Sequence, residues 1–329
     1  MEKYLITGGL GYIGRNLTSR LLELGNHVTI LDKTIPSECV YSSANCEIIK
    51  GNILNYPLIK DLLKGVDGVF HLASLSSPKY ANSNILESHN TNVLGQLTLI
   101  KAIKDYSIHK IIPFVYLSSS SVYGDNACMP VRENDFLRPI TPFAADRLSC
   151  ENHARSVFLS NGIPSVGFRI FNLYGPVEDA KDTQENVISQ FIYQIKNKLP
   201  LTVFGDGEQL RDFIFISDVV EFLIRGIKYT TNTADIFNLC TGNGISINNL
   251  AKNLITLSGS SSCIEYKPRR SNEILQSVGD TKRVYSHLHY SAKMPLADGL
   301  KQSLNNSSDI FIDTANKYVD FQTQMIGSY

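Results

Sequence analysis

The stretch Thr7-Gly8-Gly9-Leu10-Gly11-Tyr12-Ile13-Gly14, called the glycine turn below, decides the fold of this chain. It follows the apolar residues 4–6, which predict a β-strand, and it precedes a run whose apolar residues recur at helical spacing. Glycines at positions 8, 11 and 14 let the backbone turn sharply and approach a ligand closely. Free N–H groups at the start of a helix favour phosphate. The stretch therefore predicts a turn that binds the diphosphate of a dinucleotide.

An acidic residue at the expected distance supports this interpretation. Residues 27–31 predict a second strand, and Asp32 ends it, eighteen residues after Gly14. An acid at this place accepts hydrogen bonds from ribose hydroxyls and repels a 2′-phosphate. The two signals together predict NAD as the cofactor in preference to NADP. The alternative is a tight turn followed by an incidental aspartate.

Strand and helix patterns alternate along the first half of the chain, which predicts an α/β fold. The expected architecture is a Rossmann-type doubly wound parallel sheet with a smaller, mostly C-terminal α/β substrate-binding domain. Residues 1–175 with about 212–242 are assigned to the NAD-binding domain, and about 176–211 with 243–329 to the smaller domain. Further strands are predicted at residues 47–49, 68–72, 114–117, 166–170 and 236–239, and helices at 56–64, about 86–105 and about 142–160.

Composition excludes several classes of function. Lysine plus arginine number 31, as do aspartate plus glutamate, so the formal net charge is zero and predicts neither a nucleic-acid nor a membrane partner. The six cysteines are scattered without a C-x-x-C pair, which predicts reduced thiols and no metal site. The chain enters a strand pattern almost at once, and no apolar run approaches the roughly 20 residues of a membrane span. A cytoplasmic protein is expected.

Several short motifs recur in an order that carries a family resemblance. They are Gly51-Asn52-Ile53, His71-Leu72-Ala73-Ser74, Asn92-Val93-Leu94-Gly95, residues 117–124, Arg169-Ile170-Phe171-Asn172-Leu173-Tyr174-Gly175-Pro176, residues 204–213 and Asn238-Leu239-Cys240-Thr241-Gly242. With the glycine turn, they make the chain resemble the extended short-chain dehydrogenase/reductase family, specifically its NAD-dependent nucleotide-sugar epimerases and dehydratases. The resemblance runs from residue 4 to about residue 285.

The resemblance implies a set of cofactor-binding residues. Asn52 stands where the family usually has an aspartate beside the adenine, and Asn92 has a structural role within its helix as the alternative to a cofactor contact. The implied set is Gly8, Gly11, Tyr12, Ile13, Gly14, Asp32, Asn52, Ile53, Leu72, Ala73, Asn92 and Arg147.

The resemblance also implies a nucleotide-diphosphate sugar as partner. Asn172, Arg211 and Arg270 match positions that contact the nucleotide diphosphate, and guanidinium groups suit phosphate oxygens. For both arginines the alternative is a surface ion pair, for example between Arg211 and Asp212. Asp212 itself, like Asp218, is expected to be structural. The sequence leaves the nucleobase and the sugar open.

The proton-transfer pair of the family is altered in this chain. Family members carry Tyr-x-x-x-Lys, in which the tyrosine exchanges a proton with the sugar and the lysine holds the nicotinamide ribose; Phe143 and Arg147 occupy these positions. Phenylalanine has no exchangeable proton, and arginine does not deprotonate in proteins. Ser119 matches the serine that hydrogen-bonds the same sugar oxygen. The predicted catalytic centre is therefore Ser119, Phe143 and Arg147, with altered acid/base chemistry.

Three functions remain open from the sequence. The first is epimerisation by hydride transfer at the sugar C4, since Ser120 and Ser121 replace the Asp-Glu pair that family 4,6-dehydratases use for elimination. The second is a catalytically impaired pseudoenzyme that binds NAD or nucleotide sugar in a regulatory role, and the third is a nucleotide-sugar 4-dehydrogenase or reductase. The family resemblance also implies a homodimer formed by helices near 86–105 and 142–160.

Overall fold

The structure is a computed structural model that describes residues 1–35, 41, 43–75, 78–125, 128–176, 186–230, 232–270 and 273–306. Cys39, much of the sugar-selecting region expected near residues 178–194, and the end of the predicted smaller domain lie outside the described residues. The strands are β1 Lys3–Thr7, β2 His27–Asp32, β3 Cys46–Lys50, β4 Gly68–His71, β5 Phe114–Ser119, β6 Ser165–Ile170, β7 Asn172–Tyr174, β8 Leu201–Phe204, β9 Leu210–Phe215, β10 Ala234–Leu239, β11 Gly244–Ser246, β12 Ile264–Lys267 and β13 Gln276–Ser277.

Helices occupy the places predicted after the glycine turn and near residues 56–64, 86–105 and 142–160, and further helices follow in the second half of the chain. They are α1 Tyr12–Glu23, α2 Tyr56–Leu62, α3 Pro78–Ser83, α4 Ile85–His89, α5 Gly95–Tyr106, α6 Pro142–Asn161, α7 Val187–Lys196, α8 Ile216–Tyr229, α9 Ile247–Ser258, α10 Lys282–Leu288 and α11 Leu296–Asn305. The predicted helix near 86–105 is divided by a π-helical turn, Asn90–Leu94, that joins α4 to α5.

A seven-stranded sheet in the order β10-β6-β5-β4-β1-β2-β3 forms the centre of the molecule. Every neighbouring pair in it is parallel, as the alternating pattern predicts. Helices α1 and α8 pack on one face, and α2, α5 and α6 pack on the other. Strands covered on both faces need continuous apolar runs, and β1 and β4 are buried over most of their length. The Rossmann-type α/β fold is thus confirmed.

A smaller α/β part lies beyond the carboxyl ends of β5 and β6. Strand β9 pairs with β7 and β13 in parallel and with β11 antiparallel, while β8 and β12 form a separate parallel pair. Helices α7, α9 and α11 contact one another and cover these strands. Strand β9 belongs to this second sheet, whereas α8 and β10, which follow it, complete the large sheet layer. The domain boundaries remain a prediction.

Local signals set the ends of the helices that frame the site. The hydroxyl of Thr141 accepts a hydrogen bond from Ala144 N at 3.2 Å, Pro142 opens α6, and Gly162 ends it in the left-handed conformation. Gly25, just past α1, has a φ of +78°. Residue types that favour helix ends thus stand at the start and end of α6 and just past the end of α1.

The remaining compositional expectations concern cysteines, metals and membranes. Cys46, Cys128, Cys150, Cys240 and Cys263 are free thiols. Among the described residues, the structure contains no group of three or more His, Cys, Asp or Glu side chains arranged to hold a metal ion. No helix in the described part of the chain has the length and apolarity that a membrane crossing requires.

Candidate functional site

The glycine turn leaves no room for side chains where it packs against the sheet. Gly8 has a φ of +71°, and a Cβ on it would lie 2.6 Å from Ala73 N. A Cβ on Gly14 would lie 2.5 Å from the carbonyl oxygen of Gly8. At Gly11, the N-cap of α1, the nearest atom would be an ordinary contact away, at 3.4 Å. The backbone cradle that a bound diphosphate requires is therefore built into the turn, and NAD fits this chain.

A cavity of 1020 Å³ opens above the carboxyl ends of the central strands. We call it the site cavity; it runs from the glycine turn, past the start of α6, to the smaller α/β part. The predicted site residues that line it are Gly8, Gly11, Tyr12, Ile13, Gly14, Asp32, Asn52, Ile53, Leu72, Ala73, Ser119, Phe143, Arg147, Asn172, Arg211 and Arg270. Residues far apart in sequence thus meet at one surface, as parallel sheets of this kind arrange them.

Two polar side chains line the part of the site cavity next to β2. The carboxylate of Asp32 accepts hydrogen bonds from Leu10 N at 3.0 Å and from Thr34 N at 3.2 Å, one at each oxygen. Asn52 accepts one from Leu54 N at 2.9 Å. Carboxylate and amide oxygens have more than one lone pair, so each oxygen keeps acceptor capacity. Both groups can still accept from a ligand.

Asn92 is the one predicted cofactor residue that the site cavity does not include. Its side chain is buried and accepts from Leu75 N at 2.9 Å, while its amide nitrogen donates to Leu75 O and to Ser88 Oγ. These bonds agree with the structural alternative for Asn92, and its contact with the cofactor stays a prediction. Asn92 acts on the cavity through Leu75, which lines it.

Ser119 ends β5 and caps the short 3₁₀ turn Ser120–Tyr123. Its Oγ accepts hydrogen bonds from Ser121 N at 3.1 Å and from Ser121 Oγ at 2.9 Å. A hydroxyl that accepts two bonds keeps its own hydrogen for donation. Because Ser119 lines the site cavity, it can supply that hydrogen to a ligand oxygen.

Phe143 and Arg147 lie one turn apart on α6, and both are buried at the wall of the site cavity. Arg147 Nη1 donates to Leu117 O at 3.0 Å, and Nη2 donates to the hydroxyl of Ser74. Burial lowers the pKa of the Arg147 guanidinium, although an arginine stays protonated near neutral pH. The altered pair thus provides an apolar ring and a fixed positive charge, without a group that exchanges protons.

Four other side chains of the chain, Tyr123, Tyr174, Glu151 and His153, are candidates to replace the missing tyrosine. Tyr123 donates to Asn238 Oδ1 at 2.6 Å and accepts from Arg169, and burial raises the pKa of its hydroxyl. Glu151 forms a two-pronged ion pair with Arg169 at 3.0 and 2.7 Å. Tyr123, Tyr174, Glu151 and His153 are all absent from the lining of the site cavity in the part of the chain that the structure describes.

The far end of the site cavity carries the predicted diphosphate residues. Asn172 Nδ2 donates to Asp212 O at 2.8 Å. The guanidinium carbon of Arg270 lies 3.9 Å from the centre of the Phe204 ring. Arg211 is largely buried and pairs with Glu273 at 3.7 Å, so its partner is Glu273 and not Asp212. Two guanidinium groups lining one cavity suit phosphate oxygens.

Three acidic residues have structural roles. Asp212 accepts from Thr241 N, Thr241 Oγ1 and Gly242 N, and Asp218 accepts from Tyr290 and two backbone N–H groups. Asp146 bonds His89 Nδ1 at 2.8 Å and so points away from the catalytic position. The structural roles predicted for Asp212 and Asp218 are confirmed.

Sequence reasoning missed Ser74, Gln209 and Glu273 as site residues, and all three line the site cavity. Ser74 holds Arg147, and Gln209 Nε2 donates to Glu273 Oε1 at 3.0 Å. Ser74 and Gln209 lie inside motifs named above, and Glu273 lies three residues after Arg270, so proximity to these positions was the available signal.

Comparison with known proteins identifies the family of this site. The sequence model of the NAD dependent epimerase/dehydratase family matches residues 4–240. An uncharacterized UDP-glucose epimerase of Bacillus subtilis is 30% identical over 323 residues, which cover 94% of this chain and 99% of that protein. The chain belongs to the NAD dependent epimerase/dehydratase family. The predicted family and its cofactor, NAD, are therefore confirmed.

Solved structures of related epimerases have the same fold. A UDP-N-acetylglucosamine 4-epimerase of Methanobrevibacter ruminantium, in complex with UDP-N-acetylmuramic acid, has a TM-score of 0.86 and 29% identity, covering 95% of this chain and 99% of its own. A UDP-glucuronic acid 4-epimerase of Bacillus cereus, in complex with UDP-glucuronic acid and NAD, has a TM-score of 0.83 and 27% identity, covering 92% and 98%. The likeness extends over nearly the whole of this family member.

Proposed function

We propose that this protein is an NAD-dependent epimerase-like enzyme that acts on a nucleotide-diphosphate sugar by hydride transfer at the sugar C4, with altered proton handling. The observation that carries the proposal is that Ser119, Phe143, Arg147, Asn172, Arg211 and Arg270 line the same cavity as the glycine turn. The neighbours hold UDP-sugars, which supports UDP as the nucleotide.

Different residues would bind the cofactor and the substrate, at opposite ends of the site cavity. The glycine turn and Asp32 would hold the cofactor, and Arg211 and Arg270 would hold the diphosphate of the substrate. Bound NAD supplies a hydride acceptor that also returns the hydride. The sugar would then lie between the two ends, against Ser119 and Phe143.

Proton transfer is the step that this chain performs differently. Ser119 would donate to or accept from the sugar O4, and Ser121, 2.9 Å away, would support it through the hydroxyl pair. Phe143 would pack against the sugar without taking the proton. The O4 proton would pass through Ser119 to water when the hydride leaves the sugar, and a proton would return by the same route when the hydride comes back. General acid/base groups contribute about 10²–10⁴-fold, so turnover should be slower than in a tyrosine-containing enzyme by roughly that factor.

The experiment that tests the proposal combines binding with prolonged turnover. NAD and UDP should each bind the purified protein, and C4 epimerisation of a UDP-sugar should be detectable by chromatography and lost in Ser119→Ala. Absence of both NAD and UDP binding would contradict the proposal.

A noncatalytic role is the second candidate. It is favoured because the buried polar groups near the altered pair are bonded to other groups of the protein. Arg147 donates to Leu117 O and Ser74, Glu151 is paired with Arg169, and Tyr123 is bonded to Asn238. A pseudoenzyme would bind NAD and UDP with no Ser119-dependent turnover. A net change in NADH absorbance with a UDP-sugar would instead indicate the third function, a 4-dehydrogenase or reductase.

The cellular setting follows from the same proposal. An epimerase of this kind would act in carbohydrate biosynthesis in the cytoplasm, as a homodimer through α4–α5 and α6. Ile85, Leu86, Leu94 and Leu159 on these elements are exposed to 51%, 81%, 46% and 74%. Exposed apolar side chains of this size support an interface between copies.

A further inference from the structure

The guanidinium of Arg147 is held between the carboxyl ends of two neighbouring strands. Its Nη1 donates to Leu117 O on β5 at 3.0 Å, and its Nη2 donates to the hydroxyl of Ser74, three residues past the end of β4. Strands β4 and β5 pair in the central sheet. Because hydrogen bonds are directional, two acceptors on separate strands fix the orientation of the guanidinium plane.

The other neighbours of Arg147 attract it without defining this orientation as sharply. The Phe143 ring centre lies 4.9 Å from the guanidinium carbon. Asp146 supplies negative charge nearby, but its Oδ1 is bonded to His89 Nδ1 at 2.8 Å. Of the two orienting bonds, the one to Leu117 uses a backbone carbonyl, which any residue at that position would supply. The bond to Ser74 is therefore the one that depends on the identity of a side chain.

Arg147 keeps hydrogen-bond donors for a ligand in the site cavity, which both it and Ser74 line. Each terminal nitrogen of a guanidinium carries two N–H groups, so Nη1 and Nη2 each retain one after their bonds to Leu117 and Ser74. The family resemblance assigns the position of Arg147 to the nicotinamide ribose. The two adjacent hydroxyls of that ribose are neutral acceptors, and donors held in a fixed plane suit them.

We propose that Ser74 is a positioning residue for the cofactor, which holds the guanidinium of Arg147 in the orientation that binds the hydroxyls of the nicotinamide ribose. A lysine ammonium carries three rotatable donors on a flexible stem, whereas the donors of arginine are fixed in one plane. An arginine at this position thus needs a group that orients it, and Ser74 supplies that group. The inference rests on the proposed function, because that function places NAD in the site cavity.

The test uses ligands that share adenosine diphosphate and differ in the second ribose. ADP, ADP-ribose and NAD are each titrated by calorimetry into the purified full-length protein, freed of bound nucleotide. ADP-ribose contains the second ribose without the nicotinamide, and ADP lacks both. Ser74→Ala should weaken the binding of ADP-ribose and of NAD by about 3–10-fold, within the range of a single hydrogen bond, and leave ADP unchanged.

A double-mutant cycle measures whether Ser74 acts through Arg147. Arg147→Met should also weaken ADP-ribose more than ADP, and adding Ser74→Ala to Arg147→Met should cause no further loss. Ser303→Ala is the control, since it removes another buried serine hydroxyl, bonded to Gly299 O at 2.8 Å in α11, and should leave all three affinities unchanged. Thermal unfolding of each variant checks that it is folded.

The outcomes distinguish this inference from the proposed function. An unchanged ratio of the ADP-ribose and ADP affinities in Ser74→Ala overturns the inference, as does a full further loss when Ser74→Ala is added to Arg147→Met. If neither ADP nor NAD binds the unaltered protein, the proposed function falls and the inference falls with it. If both bind and the ratio does not respond to Ser74→Ala, the inference alone is wrong.

Discussion

The guanidinium carbon of Arg147 lies 4.9 Å from the centre of the Phe143 ring. The two residues are one helical turn apart on α6, and each is buried, so the cation stacks on the ring at the wall of the site cavity. The two altered residues therefore pack as a pair. They retain the ring and the positive charge of the family's tyrosine and lysine, and what is lost is the exchangeable proton.

The two glycines at the start of α1 should respond differently to alanine. Gly14→Ala places a Cβ 2.5 Å from Gly8 O, which forces the backbone to move and should cost about 1–3 kcal/mol of stability. Gly11→Ala meets its nearest atom at 3.4 Å, so it should keep the thermal stability and lose NAD affinity, because its Cβ occupies the cofactor's approach. Thermal unfolding and NAD titration test both. Equal melting temperatures for the two variants would contradict this account of the turn.

Removing the carboxylate of Glu151 should destabilise the protein strongly. Its side chain is 8% exposed, it pairs with Arg169 at 2.7 Å, and it accepts from Ser118. Glu151→Gln leaves a buried cation unpaired, at a cost of about 3–5 kcal/mol. The double variant Glu151→Leu with Arg169→Met should lose less. Urea unfolding measures the free energy of unfolding of both variants. A loss of no more than about 1 kcal/mol in Glu151→Gln, the size that is typical of single substitutions, would refute the prediction.

Acidification should destabilise the fold through His71. Burial, together with the charge of Arg147, lowers the pKa of His71 to about 3, and its Nδ1 lies 2.8 Å from Thr7 Oγ1. The fold thus holds the neutral ring. The contribution of this neutral ring to the free energy of unfolding is complete above the unfolded pKa of about 6.5. It is lost as the pH falls toward 3, by about 1.4 kcal/mol per pH unit. His71→Asn should have a shallower loss of unfolding free energy between pH 7 and pH 5. An unchanged slope would exclude this role for His71.

Assembly can be tested at the exposed apolar residues of the proposed dimer face. Leu86→Glu should convert a dimer to a monomer, because a charge on an apolar interface is costly to bury. Ile108→Glu is the control, since Ile108 is 82% exposed but follows the end of α5. Analytical ultracentrifugation measures the oligomeric state of the unaltered protein and of both variants. A monomeric unaltered protein at micromolar concentration would rule out the dimer.

The sequence predicted the central sheet well because local and tertiary signals agree there. Strands buried on both faces need apolar runs, and turns such as that at Gly8 need glycine. The residue types of these segments therefore indicate the same structure as their positions in the fold. The start of α6 also agrees with its local sequence, since a capping hydroxyl, Thr141, and a proline mark it. These features depend on neighbours in the chain.

The missed features depend on partners far away in sequence. Arg147 contacts Ser74, 73 residues earlier, and Glu273 pairs with Arg211 from a different strand and loop. The π-helical turn Asn90–Leu94 coincides with the bonds that Asn92 makes to Leu75, which no local pattern indicates. Periodicity predicts which residues face the core, but it does not predict which polar groups meet across it.

The most direct test of the account is the double variant Phe143→Tyr with Arg147→Lys. If the site is that of an epimerase from which only the proton-transfer pair is missing, C4 epimerisation of a UDP-sugar should increase by about 10²–10⁴-fold over the unaltered protein. Phe143→Tyr alone should gain less, because Arg147 does not relay protons. An unchanged rate in a double variant that still binds NAD and UDP would contradict the account.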